Sequence, residues 1–126
     1  MIFLLDDPAP KVRLALAEAL ADSPAAPRAV ILPLSEDQPE IAAQVILRSP
    51  VLTDRDLVDL AAGGSDVARS LVAHRPALSR AVCAALVEVG SVVDALTMLA
   101  NKSAGITRRS LKRLCERFGD DGEVRA

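Results

Sequence analysis

Few residues in this chain are of a type that could do chemistry: one histidine, His74; two cysteines, Cys83 and Cys115; and two acidic pairs, Asp6-Asp7 and Asp120-Asp121. A lone imidazole can serve as general acid or base near neutral pH, but it needs a nucleophile or an orienting carboxylate, and the sequence places neither beside it. His74 falls instead at the end of an expected helix, where a cation complements the partial negative charge of the last carbonyls. The two cysteines are too far apart for a paired-ligand motif and too few for a disulfide framework. Both lie on apolar stripes and are expected in the core. Adjacent carboxylates suggest a divalent cation, yet such ions take six or more oxygen ligands and no loop here supplies them. The pairs read as helix caps and dipole partners. Gly63-Gly64 follows a helix rather than a strand and has no lysine after it, so it is not a phosphate-binding loop. No catalytic, cofactor-binding or metal residue is expected, and the chain is expected not to be an enzyme.

Charge supplies the one candidate site. Residues 1–100 hold 8 Lys or Arg against 13 Asp or Glu, whereas residues 101–119 hold 6 against 1. Lys102, Arg108, Arg109, Lys112, Arg113 and Arg117 form this basic block. On a helical projection Leu111, Leu114, Cys115 and Phe118 share one side and the basic residues spread over the other. Cations in a first turn, as at Arg108 and Arg109, oppose the helix dipole, so something should offset them. Three arrangements meet that need: carboxylates of a neighbouring helix, an acidic protein partner, or a nucleic-acid backbone. The overall charge of −2 and the absence of Trp and Tyr count against nucleic acid, whose single strands are held on stacking aromatics. Arg108, Arg109, Lys112, Arg113 and Arg117 are the candidate partner-binding residues.

The elements that position this block are helices in a repeat. Pro27, Thr53, Ser79 and Thr107 are each followed four residues on by Ile31, Leu57, Cys83 and Leu111, and seven on by Leu34, Leu60, Leu86 and Leu114. A recurrence in the twenties marks a stacked array of helical units, each burying its apolar stripe against its neighbours. Ile31, Leu57, Cys83 and Leu111 are therefore all expected to be buried. Hydroxyl residues open the helices as caps, with Thr53 and Asp56 forming a capping box and Ser65 capping the helix after Gly63-Gly64. The glycines are expected to end a helix in a left-handed turn. Pro10 and Pro39 suit a first helical turn, whereas Pro33 falls inside a helix and should kink it or tighten it to a 3₁₀ turn. Eight short helices result.

At 126 residues the chain is one domain, residues 1–126, and its composition of 51% hydrophobic residues with only two aromatics suits packed helices rather than strands. The opening Met1-Ile2-Phe3-Leu4-Leu5 is too short for a signal-peptide core and has no basic residue before it. No stretch approaches the roughly 20 apolar residues of a membrane helix. A reducing cytoplasm is the expected location. Asp120-Asp121-Gly122-Glu123-Val124-Arg125 echoes Asp6-Asp7 through Val12-Arg13, as though another helix were beginning, and neither end resembles a polar cap. These features predict a fragment of a longer array, with uncapped ends prone to self-association.

Asp7-Pro8, Val12-Arg13 and Leu16-Ala17-Glu18-Ala19-Leu20 look like the second helix of a HEAT-type repeat. Together with Asp22-Ser23-Pro24, Pro27-Arg28, Glu36-Asp37-Gln38-Pro39-Glu40, Arg48-Ser49-Pro50-Val51-Leu52-Thr53, Arg75-Pro76-Ala77-Leu78-Ser79 and Glu116-Arg117-Phe118-Gly119-Asp120, they make nearly the whole chain resemble an alphaproteobacterial family of domains of unknown function, family 2336. A looser similarity is to the leucine-rich-repeat variant, although no cysteines match its iron–sulfur module. The Val-Arg step of a HEAT-type Asp/Arg ladder occurs at Val12-Arg13 and Val124-Arg125 but not in the units between, so a continuous ladder is not expected. The resemblance implies a helical-repeat fold and, since the family has no established activity, no functional residues.

The expected fold is all-α: a right-handed α-solenoid of short two-helix repeats with a period of about 26 residues. The expected function is a non-catalytic scaffold for an unidentified protein partner, without cofactor and without membrane insertion. The alternatives are nucleic-acid backbone binding through the basic helix 107–118, and a purely structural spacer.

Overall fold

The computed structural model describes residues 9–119. These residues form eight helices and no strand, with 70% of them helical. The helices are α1 (Pro10–Leu20), α2 (Arg28–Ser35), α3 (Pro39–Arg48), α4 (Asp54–Gly63), α5 (Asp66–His74), α6 (Arg80–Val89), α7 (Val92–Ala100) and α8 (Arg108–Phe118). Met1–Leu5, both acidic pairs and Val124-Arg125 lie outside the described residues.

Local chemistry sets the helix starts. The hydroxyls of Thr53, Ser65, Ser79, Ser91 and Thr107 each accept a hydrogen bond from the N–H three residues on, satisfying one of the unpaired donors of a first turn. Asp56 returns the bond to the Thr53 N–H at 2.8 Å, and Asp94 does so to Ser91 at 3.0 Å, giving two capping boxes. Pro10 and Pro39 occupy the first turns of α1 and α3, where no partner is lost. Pro33 sits within α2, which stays α-helical through it and stops two residues later; Glu36 and Asp37 then donate to the carbonyls three residues back, a 3₁₀-type close.

The glycines after α4 and α6 work differently from the left-handed turn expected of them. Gly64 has φ −87°, Gly90 has φ −75°, and no described glycine has positive φ. Space is the constraint: a Cβ on Gly64 would lie 2.3 Å from the Leu60 carbonyl oxygen, and one on Gly90 2.7 Å from that of Leu86. The positive φ falls instead on Ala77, at 57°.

α1, α3, α5 and α7 lie side by side in one row, and α4, α6 and α8 in a second, with short turns joining the rows; α2 packs against α3 and α1 and is tied to α4 by the Arg28–Asp56 ion pair. The core lies between the rows, built from Ile31, Leu34, Ile41, Val45, Ile46, Leu57, Val72, Val82, Cys83, Leu86, Met98 and Leu114. Leu57 is 4% exposed and Cys83 fully buried, as expected. Leu111 is not: it is 45% exposed, and Cys115 is exposed with it. In α8 the buried residues are Ser110 and Leu114. No described helix lies beyond α8 to cover the side that carries Leu111 and Cys115, so the stripe seen in projection is only half used.

Polar bridges join the units at separations close to 26. Arg48 pairs with Asp22, Arg75 donates to the Ser49 carbonyl at 2.6 Å, Asn101 donates to the Arg75 carbonyl at 2.9 Å, and the Ser103 hydroxyl accepts from the Ala77 N–H at 2.8 Å. The side chains of Ser23, Ser49 and Asn101 each accept from the N–H two residues on, at 3.2 Å in all three. Arg75 occupies the third place in that series, between Ser49 and Asn101, and there the N–H at position 77 turns to Ser103 instead.

Candidate interaction surface

α6 and α8 run parallel. Near their N-termini the Gly105 N–H donates to the Leu78 carbonyl at 2.8 Å; near their C-termini Arg117 donates to the carbonyls of Val87 and Gly90, the latter at 3.0 Å. α8 begins 28 residues after α6, whereas α4 begins 26 after α2 and α6 begins 26 after α4. The longer connection passes close under α6, where a Cβ on Gly105 would be 3.1 Å from the Leu78 oxygen and 3.3 Å from the Arg80 nitrogen. α8 makes its principal contact with α6. Between them runs an open groove of about 720 Å³, floored by Ala81, Ala84, Val87 and Ser110 and flanked by Arg80, Arg109, Lys112, Arg113, Glu88 and Glu116.

The basic block divides into two kinds of residue. Arg113 pairs with Glu88 at 2.8 Å and more loosely with Glu116 at 3.9 Å. Its bond to Glu88 raises the Arg113 pKa and lowers that of Glu88. Arg117 satisfies the end of α6 and lies 4.6 Å over the Phe118 ring. Arg113 and Arg117 therefore hold α8 in place. Arg108, Arg109 and Lys112 are exposed and form no ion pair among the described residues. Arg109 and Lys112 line the groove, and Arg80 from α6 joins them. Arg80 lies outside the basic block in sequence, and only the packing of the two helices brings it there. Lys102 is exposed in the turn before α8 and does not line the groove.

The other chemically able side chains are accounted for locally. His74 Nδ1 lies 2.9 Å from the Ser70 carbonyl oxygen in the last turn of α5, the helix-end place expected of it. Burial pushes the Cys83 thiol up from its ordinary pKa. The more consequential helix-end cation is Arg75, which the sequence did not single out. Its guanidinium donates to the Ile46 and Ser49 carbonyls at the end of α3, and burial lowers its pKa while the charge of Asp54 works the other way. Asn101 does the same for α5 through the carbonyls of Ala73 and Arg75. Ion pairs cross between units at Arg13–Asp37 and Arg28–Asp56, and the second holds Asp56 at a pKa of about 2. Among the described residues no group of three or more His, Cys, Asp or Glu could hold a metal ion, and no helix is long and apolar enough to cross a membrane.

A family model described as an uncharacterised protein conserved in bacteria (DUF2336) matches residues 41–126. No curated protein and no solved structure matches the chain.

Proposed function

We propose that this chain, which belongs to that uncharacterised bacterial family, is a HEAT-like, right-handed α-solenoid of two-helix repeats and works in the cytoplasm as a non-catalytic scaffold for protein–protein interaction. The observation that carries the proposal is the series of bridges from 22 to 48, 49 to 75, 75 to 101 and 77 to 103, each separated by 26 residues. Bridges at one constant separation, though of different chemistry, fit a stacked array, and such arrays present extended surfaces to macromolecular partners. The side-by-side packing of α1, α3, α5 and α7, and of α4, α6 and α8, over one continuous core supports the same conclusion.

Arg108, Arg109 and Lys112, exposed and without an ion pair among the described residues, favour a second reading, contact with a nucleic-acid backbone. Against it stand the acidic balance of residues 1–100 and the two glutamates beside the basic residues of the groove. Affinity capture with the chain as bait, confirmed by reciprocal capture and run with and without nuclease, separates the two. A reproducible protein partner that survives nuclease is the expected outcome. Recovery of nucleic acid alone would overturn the scaffold in favour of the second reading.

A further inference from the structure

We infer that the groove between α6 and α8 is a docking site for an acidic peptide segment of a protein partner. The inference rests on the scaffold proposal and names the partner's chemistry. Its volume, about 720 Å³, falls within the range of clefts that enclose ligands. Apart from Val87, its floor is made of the small side chains of Ala81, Ala84 and Ser110, which let a segment approach the helix backbones closely. Charge decides what enters. Arg80 stands in the first turn of α6 and Arg109 in the first turn of α8; because the helices are parallel, these two crowd one end of the groove, with Lys112 midway along it. Neither Arg80, Arg109 nor Lys112 has an ion-pair partner among the described residues, so a carboxylate arriving there displaces no internal salt bridge. The positive ends of both helix dipoles lie at that same end and add to the field.

At the opposite end the groove changes sign. Glu88 and Glu116 flank it there, with Arg113 between them and already engaged. A duplex or single strand carries phosphate along its whole length and would meet these carboxylates, whereas a peptide can place acidic residues at one end and neutral or basic residues at the other. The site therefore selects a short segment with carboxylates toward Arg80 and Arg109. Complementarity of this kind governs encounter and register, and it weakens as salt screens it.

Fluorescence anisotropy on the full chain tests this with three probes of equal length: a labelled Glu-rich peptide, its Gln counterpart and a labelled duplex DNA. The Glu-rich peptide is expected to bind at low salt and the other two weakly or not at all. The double variant Arg80→Glu/Arg109→Glu is expected to weaken peptide binding on the order of tenfold or more. Lys102→Glu/Arg108→Glu, which changes net charge equally but lies off the groove, should leave it within about twofold. Circular dichroism on each variant shows that it is folded. Equal losses in both double variants, or DNA binding tighter than the peptide, would overturn the groove assignment. Photo-crosslinking in cells from Gln44 on α3 and Ala84 on α6 keeps the two proposals apart. A partner captured only at Gln44 would sink the groove and leave the scaffold standing, while no partner at either position would sink both.

Discussion

Replacing Arg75 by alanine removes the bridge on which two neighbouring units depend. The guanidinium donates to the Ile46 carbonyl at 2.8 Å and to the Ser49 carbonyl at 2.6 Å, and both residues are fully buried. Without it the Ile46 and Ser49 carbonyls at the end of α3 lose their side-chain donor. A hydrogen bond to a charged group is worth about 1.5–3 kcal/mol, and an unsatisfied buried acceptor costs about 1–3 kcal/mol. Burial of the cation works in the other direction, as its lowered pKa records. The net expectation is a loss of about 3 kcal/mol, a large part of the roughly 5–15 kcal/mol by which a domain is stable. Arg75→Lys keeps the charge but lacks the fork that reaches two acceptors, so it should cost about half as much. Urea unfolding followed by circular dichroism at 222 nm, with Arg108→Ala as the exposed control, measures all three. A loss below about 1 kcal/mol for Arg75→Ala, with unchanged denaturant dependence, would refute the reasoning that these carbonyls need their donor.

Leu57→Ala should cost about 2–5 kcal/mol through a cavity between α4 and its neighbours, while Leu111→Ala at the corresponding place in α8 should cost about 0.5 kcal/mol or less, both read by the same unfolding curves. Gly64→Ala forces a Cβ to within 2.3 Å of a backbone oxygen and should destabilise by more than about 2 kcal/mol, whereas Gly63→Ala meets open space and should be neutral or slightly stabilising by melting temperature. Asp56 has its pKa lowered to about 2 by the bond from Arg28, below its ordinary 3.8, so its contribution is complete above that ordinary value and lost as pH falls toward 2. Arg28 is half exposed and solvent screens the pair, so the contribution is on the order of 1 kcal/mol; Asp56→Asn should flatten the acid limb of stability between about pH 4 and 2.

Helix number, helix starts and the inward faces of α2 to α6 were legible in the sequence because they depend on local chemistry. A hydroxyl three residues before an N–H caps it whatever lies elsewhere, proline fits a first turn by its own geometry, and a stripe at helical spacing must find cover. Three features were settled only by packing. Leu111 and Cys115 carry the same apolar signal as Leu57 and Ala61, yet they are exposed because cover is supplied by a neighbouring helix, and none is described beyond α8. Gly64 and Gly90 signal a helix end in either case, but whether freedom of φ or want of space demands glycine depends on the angle at which the chain leaves the helix, which here sets the glycine against the carbonyl four residues back. Arg75, Arg113 and Arg117 are three arginines of one type in sequence. The fold turns them into internal ties and leaves Arg109 and Lys112, joined by Arg80 from another helix, as the cations that face an open groove. Sequence periodicity assigns a residue to a side of its helix; what stands opposite that side is a property of the assembled chain, and for an arginine that alone separates a tie from a binding residue.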